Sequence, residues 1–383
     1  MDRRIFPLAL GALAIGTTEF VIMGLLPDVA KSLNISIPQA GHLISSYAFG
    51  VVVGAPVLIA FAAKYPPKKI LSYLMIAFVI FNGLSALVND YYTMMIVRFL
   101  SGLPHGAFFG VGTVVATRLA KPGKQAQSIA MMFTGLTLAN LAMVPFVTWL
   151  GHQMSWRYAF GVVSVLGLLT LISLKFLLPY MDSLRTTTLK DELEFFKSAK
   201  AWHIIAITGI GFGGLFAWFS YITPLMTTVS RFDKDFIAYI MVLAGAGMVI
   251  GNFLGGVMAD KMRPALAAAI LLTAMILALI GVFFFSENQS VSLVLTFVCG
   301  ALSMAVGTPV NIIMLRSAKN SEMMAAAFMQ AAFNVGNSLG AFFGGLPLEF
   351  GLSYSYPSLV GAGLAGIGLL LCLAFMKKYK PVI

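Results

Sequence analysis

The chain has 383 residues, of which 59% are hydrophobic and only 10% charged, and its mean hydropathy is +0.92. Soluble domains carry about 25% charged residues, so this composition excludes an ordinary globular enzyme and points to a polytopic membrane protein. The formal net charge of +11 would suggest nucleic-acid binding in a soluble chain; here it fits Lys and Arg kept in cytoplasmic loops, and no nucleic-acid partner is expected.

The opening "MDRRIFPLAL" looks like the charged start of a signal peptide. Its apolar run is too long, however, and no A-x-A-like cleavage site precedes Asp28, so it reads as a retained first span. Pro, Gly and charged breaks then divide the chain into twelve apolar segments, each long enough to cross a core of roughly 30 Å as a helix. The first six are Ile5–Pro27, Gln39–Ala62, Ile70–Val88, Tyr92–Ala116, Ala126–Leu150 and Tyr158–Leu178. The second six are Trp202–Val229, Phe236–Ala259, Ala265–Phe285, Val291–Leu315, Met323–Pro347 and Tyr356–Met376.

The expected organisation is a six-helix bundle over 1–179, a cytoplasmic linker over 180–201 and a second six-helix bundle over 202–383. Within the linker, "TLKDELEFFKSAK" puts Leu189, Leu193 and Phe196 on one helical face, with Thr188 and Asp191 placed to cap its start. A short helix on the membrane surface and a plain solvated linker both fit.

Orientation follows from charge. With the N-terminus inside, twenty of the 25 Lys and Arg fall on the cytoplasmic side. Only Lys31, Arg157, Arg231 and Lys234 fall outside, and Arg98 lies within a span. Both termini are therefore expected inside, in a cytoplasmic (inner) membrane.

The two halves repeat. A shift of 197 residues superposes Pro27 on Pro224, Gly50 on Gly247, Gly54 on Gly251, Gly110 on Gly307 and Asn140 on Asn337. Each half starts and ends inside, so the copies are parallel repeats with an expected binding site near the midplane between them. Glycines at every fourth residue, such as Gly102, Gly106 and Gly110, let neighbouring backbones approach closely.

Two charges sit inside spans: Glu19 in span 1 and Arg98 in span 4. Burying either in hydrocarbon costs roughly 2.5–3.5 kcal/mol, so function is the default reading and a fixed ion pair the plain alternative. Counting inward at 1.5 Å per residue from Asp28 and Tyr91 places them about 13 Å and about 10 Å deep. Glu19 is the expected proton site, with Arg98 setting its affinity and Asp28 the next candidate. His105, on the Arg98 face of span 4, either relays protons or hydrogen-bonds a neighbouring helix as a neutral ring.

Polar and aromatic side chains deep in the spans are candidate substrate contacts: Tyr47, Asn140, Trp218, Tyr221, Asn311, Gln330, Asn334 and Asn337. Helix-to-helix hydrogen bonding and ordinary packing are the competing explanations. HExxH, GxSxG and the P-loop are all missing, so no hydrolase or ATP-driven pump is expected. Cys299 and Cys372 form no CxxC pair, and neither a cofactor nor a metal is implied.

The stretches "ISIPQAGHLISSYAFGVVVGAP", "RFLSGLPHGAFFGVG" and "LFAWFSY" resemble the major facilitator superfamily along the full chain. Within it they resemble the drug:proton antiporter branch and its arabinose-efflux permeases of the AraJ type. That resemblance implies an all-α fold of twelve transmembrane helices and proton-driven efflux of a sugar-like or drug-like solute. Arg98 matches the family's span-4 arginine and Glu19 an acid common in span 1 of this branch. The loop between spans 2 and 3 usually carries a gate-latch aspartate; here "FAAKYPPKK" has Ala63 instead, whereas the repeat copy retains Asp260 and Lys261. Gly54, Asp260 and Lys261 are the gating candidates. The span-5 motif is worn too, with Met143 and Val147 where glycines are common beside Pro145.

The expected activity is secondary active export of a small solute by alternating access, as a monomer in the lipid bilayer. Proton symport for uptake is the alternative within transport, and a non-transporting membrane sensor the alternative outside it.

Overall fold

The computed structural model describes residues 3–62, 65–122, 124–182, 197–317 and 322–379. Ala63, Lys64 and the linker residues Thr188 to Phe196 lie outside them. The described residues form helices and no strand, as a bilayer demands: backbone polar groups without water must pair within their own segment.

In the first half, span 1 is Phe6–Gly24, span 2 Ile37–Ala62, span 3 Pro67–Ser85 and span 4 Tyr91–Leu119. Span 5 runs from Gln125 to Gln153 through a π segment, Ala139–Met143, and span 6 is Trp156–Leu177. In the second half, span 7 begins at Ala199, span 8 is Ile237–Lys261, span 9 Pro264–Phe285, span 10 Gln289–Ser317, span 11 Glu322–Glu349 and span 12 Tyr356–Lys378. Eleven of the twelve are long and apolar enough to cross a membrane. Span 11 is as long, at 28 residues, but Gln330, Asn334 and Asn337 dilute its hydropathy. With an even number of spans both ends of the chain lie on one face, here the terminal face; the other is the opposite face.

Proline sets the departures from the expected boundaries. Span 1 ends at Gly24 rather than Pro27, and a short helix, Leu26–Leu33, follows. Pro27 has no N–H to give the Met23 carbonyl; spans 2, 4, 10 and 11 run on through Pro56, Pro104, Pro309 and Pro347, but here the helix breaks. Span 7 is the repeat-related case. Its expected single helix is three, Ala199–Gly211, Gly213–Phe219 and Ile222–Pro224, closed by a π turn over Leu225–Val229. Pro224 withholds a donor from Ser220 as Pro27 does from Met23. The π segment in span 5 likewise precedes a proline, Pro145.

Glycine brings spans 2 and 4 into backbone contact. A Cβ at Gly50 or Gly54 would overlap the carbonyl of Phe99 or Leu103; at Gly247 or Gly251 it would overlap that of Phe297 or Ala301 in span 10. The glycines are 197 residues apart, but the carbonyls they meet are 198 apart. The 197-residue repeat therefore slips by one residue where spans 4 and 10 receive these contacts.

Hydrogen bonds between described residues of the two halves run inward from the opposite face. One is a mutual pair between spans 2 and 11: Ser45 Oγ donates to the Ser338 carbonyl at 3.1 Å and Ser338 Oγ to the Ser45 carbonyl at 3.4 Å. Beyond it, His42 stacks on Phe342 with ring centroids 5.7 Å apart, and Phe20 of span 1 stacks on Phe216 of span 7 at 6.2 Å. The opposite face is closed.

Candidate functional site

Glu19 and Arg98 are 6% and 0% exposed, at matching depth in spans 1 and 4. Arg98 is pinned by its neighbours. Its Nη1 donates to Thr18 Oγ1 at 3.2 Å and its Nη2 to the Thr18 carbonyl at 3.4 Å. The guanidinium lies 4.4 Å from the Tyr47 ring centroid and 5.4 Å from that of Phe160, a cation–π enclosure from spans 2 and 6. Thr18 passes the interaction on, donating to Asn82 Oδ1 at 2.5 Å, while Asn82 Nδ2 is anchored on the Phe78 carbonyl at 2.9 Å.

The other side of Glu19 belongs to the second half. Asn334 and Asn337 of span 11 approach its carboxylate, and Arg98 acts on it at longer range. No ion pair joins Glu19 to Arg98; both ion pairs among the described residues belong to Asp28. Asn334 Nδ2 donates to the Gln330 carbonyl at 3.1 Å, but Asn334 Oδ1 and both amide atoms of Asn337 are buried without a hydrogen-bond partner. An unmet buried amide costs about 1–3 kcal/mol, and the group these two amides face is the Glu19 carboxylate. Asn140, the repeat counterpart of Asn337, is not left unpaired in this way, because its Nδ2 donates to the Leu136 carbonyl of its own helix at 3.2 Å.

Tyr47 connects the charged pair to His105. Its hydroxyl lies 3.1 Å from His105 Nδ1, and Gln330 reaches His105 from span 11. Of the residues singled out in the sequence, the fold thus gathers Glu19, Arg98, Tyr47, His105, Gln330, Asn334 and Asn337 at the junction of the halves.

The others lie elsewhere. Trp218 is buried beside Phe219 with an unpartnered Nε1. Tyr221 donates its hydroxyl to the Ala341 carbonyl at 2.6 Å. Asn311 is half-buried in span 10, Gly54 meets span 4, and Asp260 and Lys261 are exposed at the terminal-face end of span 8. Asp28 sits at the opposite face between Lys234 and His152, paired with Lys234 Nζ and 3.3 Å from His152 Nε2. Burial would raise its carboxyl, but hydrogen bonds from His152 and Lys234, then their charges, hold it below its ordinary value.

Sequence reading passed over Thr18, Asn82 and Phe160. Each is unremarked in an apolar helix, and only the fold brings it to Arg98.

The family model described as Major Facilitator Superfamily matches residues 8–327. The chain belongs to that superfamily. The Escherichia coli (strain K12) protein AraJ is 40% identical over 380 residues, covering 99% of this chain and 96% of AraJ. A Helicobacter pylori (strain ATCC 700392 / 26695) protein described as "Probable sugar efflux transporter" is 28% identical, covering 98% and 96%. Among solved structures, the xylose transporter XylE from E. coli, in a partially occluded inward open conformation, superposes with a TM-score of 0.78 at 17% identity. That match covers 99% of this chain and 97% of XylE and shows the shared twelve-helix fold. This superfamily member is a multi-pass membrane transporter.

Proposed function

We propose that this transporter exports a small sugar-like or drug-like solute in exchange for protons, by alternating access between its two halves. The bundles over 1–179 and 202–383 are the moving parts, joined by the linker 180–201, in a monomer of the cytoplasmic membrane. The observation that carries the reading is the buried Glu19 carboxylate, which faces Arg98 in its own half and the unsatisfied amides of Asn334 and Asn337 in the other. A proton taken up or released there alters what span 11 faces, which ties protonation to the relation between the halves. Asn334, Asn337 and Gln330, with Tyr47, are the proposed solute contacts, and the name of the H. pylori relative supports a sugar-like solute. The Lys and Arg asymmetry supports a cytoplasmic terminal face. With the opposite face closed, the site would then be withheld from the exterior.

The test is flux in proteoliposomes under imposed pH gradients, across pentoses, oligosaccharides and cationic dyes. Solute should move against its own gradient when protons move the other way. Glu19→Gln should abolish proton-driven flux while leaving solute binding measurable and nearly independent of pH. Normal proton-driven flux by Glu19→Gln would falsify Glu19 as the proton site, and co-directional movement of proton and solute would replace antiport with symport.

A further inference from the structure

The break in span 1 leaves the Met23 carbonyl without its helical donor, because residue 27 is proline. That carbonyl is not left bare. Thr223, in the short helix Ile222–Pro224 of the other half, donates its hydroxyl to it at 3.0 Å and to the Gly24 carbonyl at 3.1 Å. His152, at the end of span 5, places Nε2 3.2 Å from the same Gly24 carbonyl. Thr223 is 1% exposed, so this contact is dry.

A second, wetter contact lies just outside it. Lys234 pairs with Asp28, and the next residue, Asp235, accepts from Gln153 Nε2 at 3.2 Å. One short turn, Lys234–Phe236, therefore grips both the segment after span 1 and the end of span 5. The bonds of Thr223, Lys234 and Asp235 cross between the halves and must break if the halves part at the opposite face, whereas the His152 contact stays within the first half.

We propose that Thr223, seated on the carbonyl that Pro27 frees, together with the Asp28–Lys234 pair, forms the gate that holds the transporter shut at its opposite face. This rests on the alternating-access reading, and it assigns Asp28 to the gate rather than to proton transfer. Thr223 is a positioning residue: its hydroxyl is bound to the Met23 and Gly24 carbonyls. Its energetic effect is state-specific. In the closed state, a side chain without a hydroxyl leaves the Met23 carbonyl buried and unpaired; in the open state, water satisfies that carbonyl. Removing the hydroxyl therefore penalises closure alone.

The experiment measures distances between spin labels in the full chain, in lipid nanodiscs without solute, after replacing Cys299 and Cys372. One label pair, at Lys31 and Glu287, reports the opposite face; a second, at Lys121 and Arg263, reports the terminal face. Thr223→Val should raise the ratio of opposite-face-open to closed molecules about tenfold, lengthening the first distance and shortening the second. Thr223→Ser should restore the wild-type distribution, because it returns the donor. Asp28→Lys should also open this face, and adding Lys234→Asp should close it again.

Unchanged distances in Thr223→Val, with Thr223→Ser also unchanged, would overturn the gate. So would opening in Thr223→Val that Thr223→Ser fails to reverse, since that reports lost packing and not a lost hydrogen bond. The proton reading fails separately. If Glu19→Gln keeps its proton-driven flux while Thr223→Val still shifts the distances, the gate stands and the coupling site falls.

Discussion

Asp28 and Glu19 lie nine residues apart, yet their surroundings give them different work. Burial and the two basic neighbours act in opposite directions on Asp28, and His152 with Lys234 prevails, holding the carboxyl below its ordinary value. A carboxyl depressed by folding adds stability above its unfolded pKa and loses it as pH falls through the folded one. The contribution of the Asp28 carboxylate should therefore persist down to about pH 5 and vanish only at lower pH. Because the Lys234 side chain is half exposed, its magnitude should be about 1 kcal/mol or less. The check is the difference in thermal midpoint between wild type and Asp28→Asn at each pH; a difference that already fades near neutrality contradicts the assignment. Glu19 and Arg98 were legible as charges interrupting apolar runs, and counting residues matched their depths. Thr18 carried no signal. A threonine in a membrane helix is ordinary, and its partners Asn82 and Arg98 are 64 and 80 residues away in sequence.

Helix boundaries depend on where a missing donor can be replaced, and that depends on a neighbour the sequence does not name. Pro27 and Pro224 were visible as repeat partners, but the consequence, a broken span 1 and a segmented span 7, follows from what packs beside them. Apolar run length located the twelve spans well, because the bilayer sets that length independently of tertiary contact. The glycine stripes were legible as close-approach surfaces, while their targets and the one-residue slip were not. These stripes allow a sharp contrast within span 8. A side chain at Gly251 would enter the Ala301 carbonyl, whereas a Cβ at Gly256 meets nothing within 4 Å. Gly251→Val should force spans 8 and 10 apart and destabilise the folded protein by about 1–3 kcal/mol. Gly256→Ala should leave stability within about 0.5 kcal/mol. Thermal unfolding in detergent, followed by exposure of Cys299 to a thiol reagent, measures both; equal midpoints for the two variants would mean the stripe is not a packing surface.

Across the whole molecule, one charge asymmetry and one closed seam combine into a directional statement. The seam is geometric: Thr223, Lys234 and Asp235 bind the first half at the opposite face, and the Ser45–Ser338 pair continues the seam inward. The asymmetry is compositional, and it alone says which face meets the cytoplasm, because Lys and Arg resist translocation whatever the fold does with them. If the terminal face is cytoplasmic, Glu19 is withheld from the exterior in this state, and an incoming proton must wait for the Thr223 seam to part. Single cysteines at Ser183 and Asn288, in a background lacking Cys299 and Cys372, decide the direction. An impermeant reagent added to intact cells should label Asn288→Cys and spare Ser183→Cys, with the pattern reversed in inside-out vesicles. Labelling of Ser183→Cys from outside would invert the molecule. The structure would then be closed toward the cytoplasm, with the Thr223 gate on the inner side, while exchange would still carry solute against the direction in which protons flow.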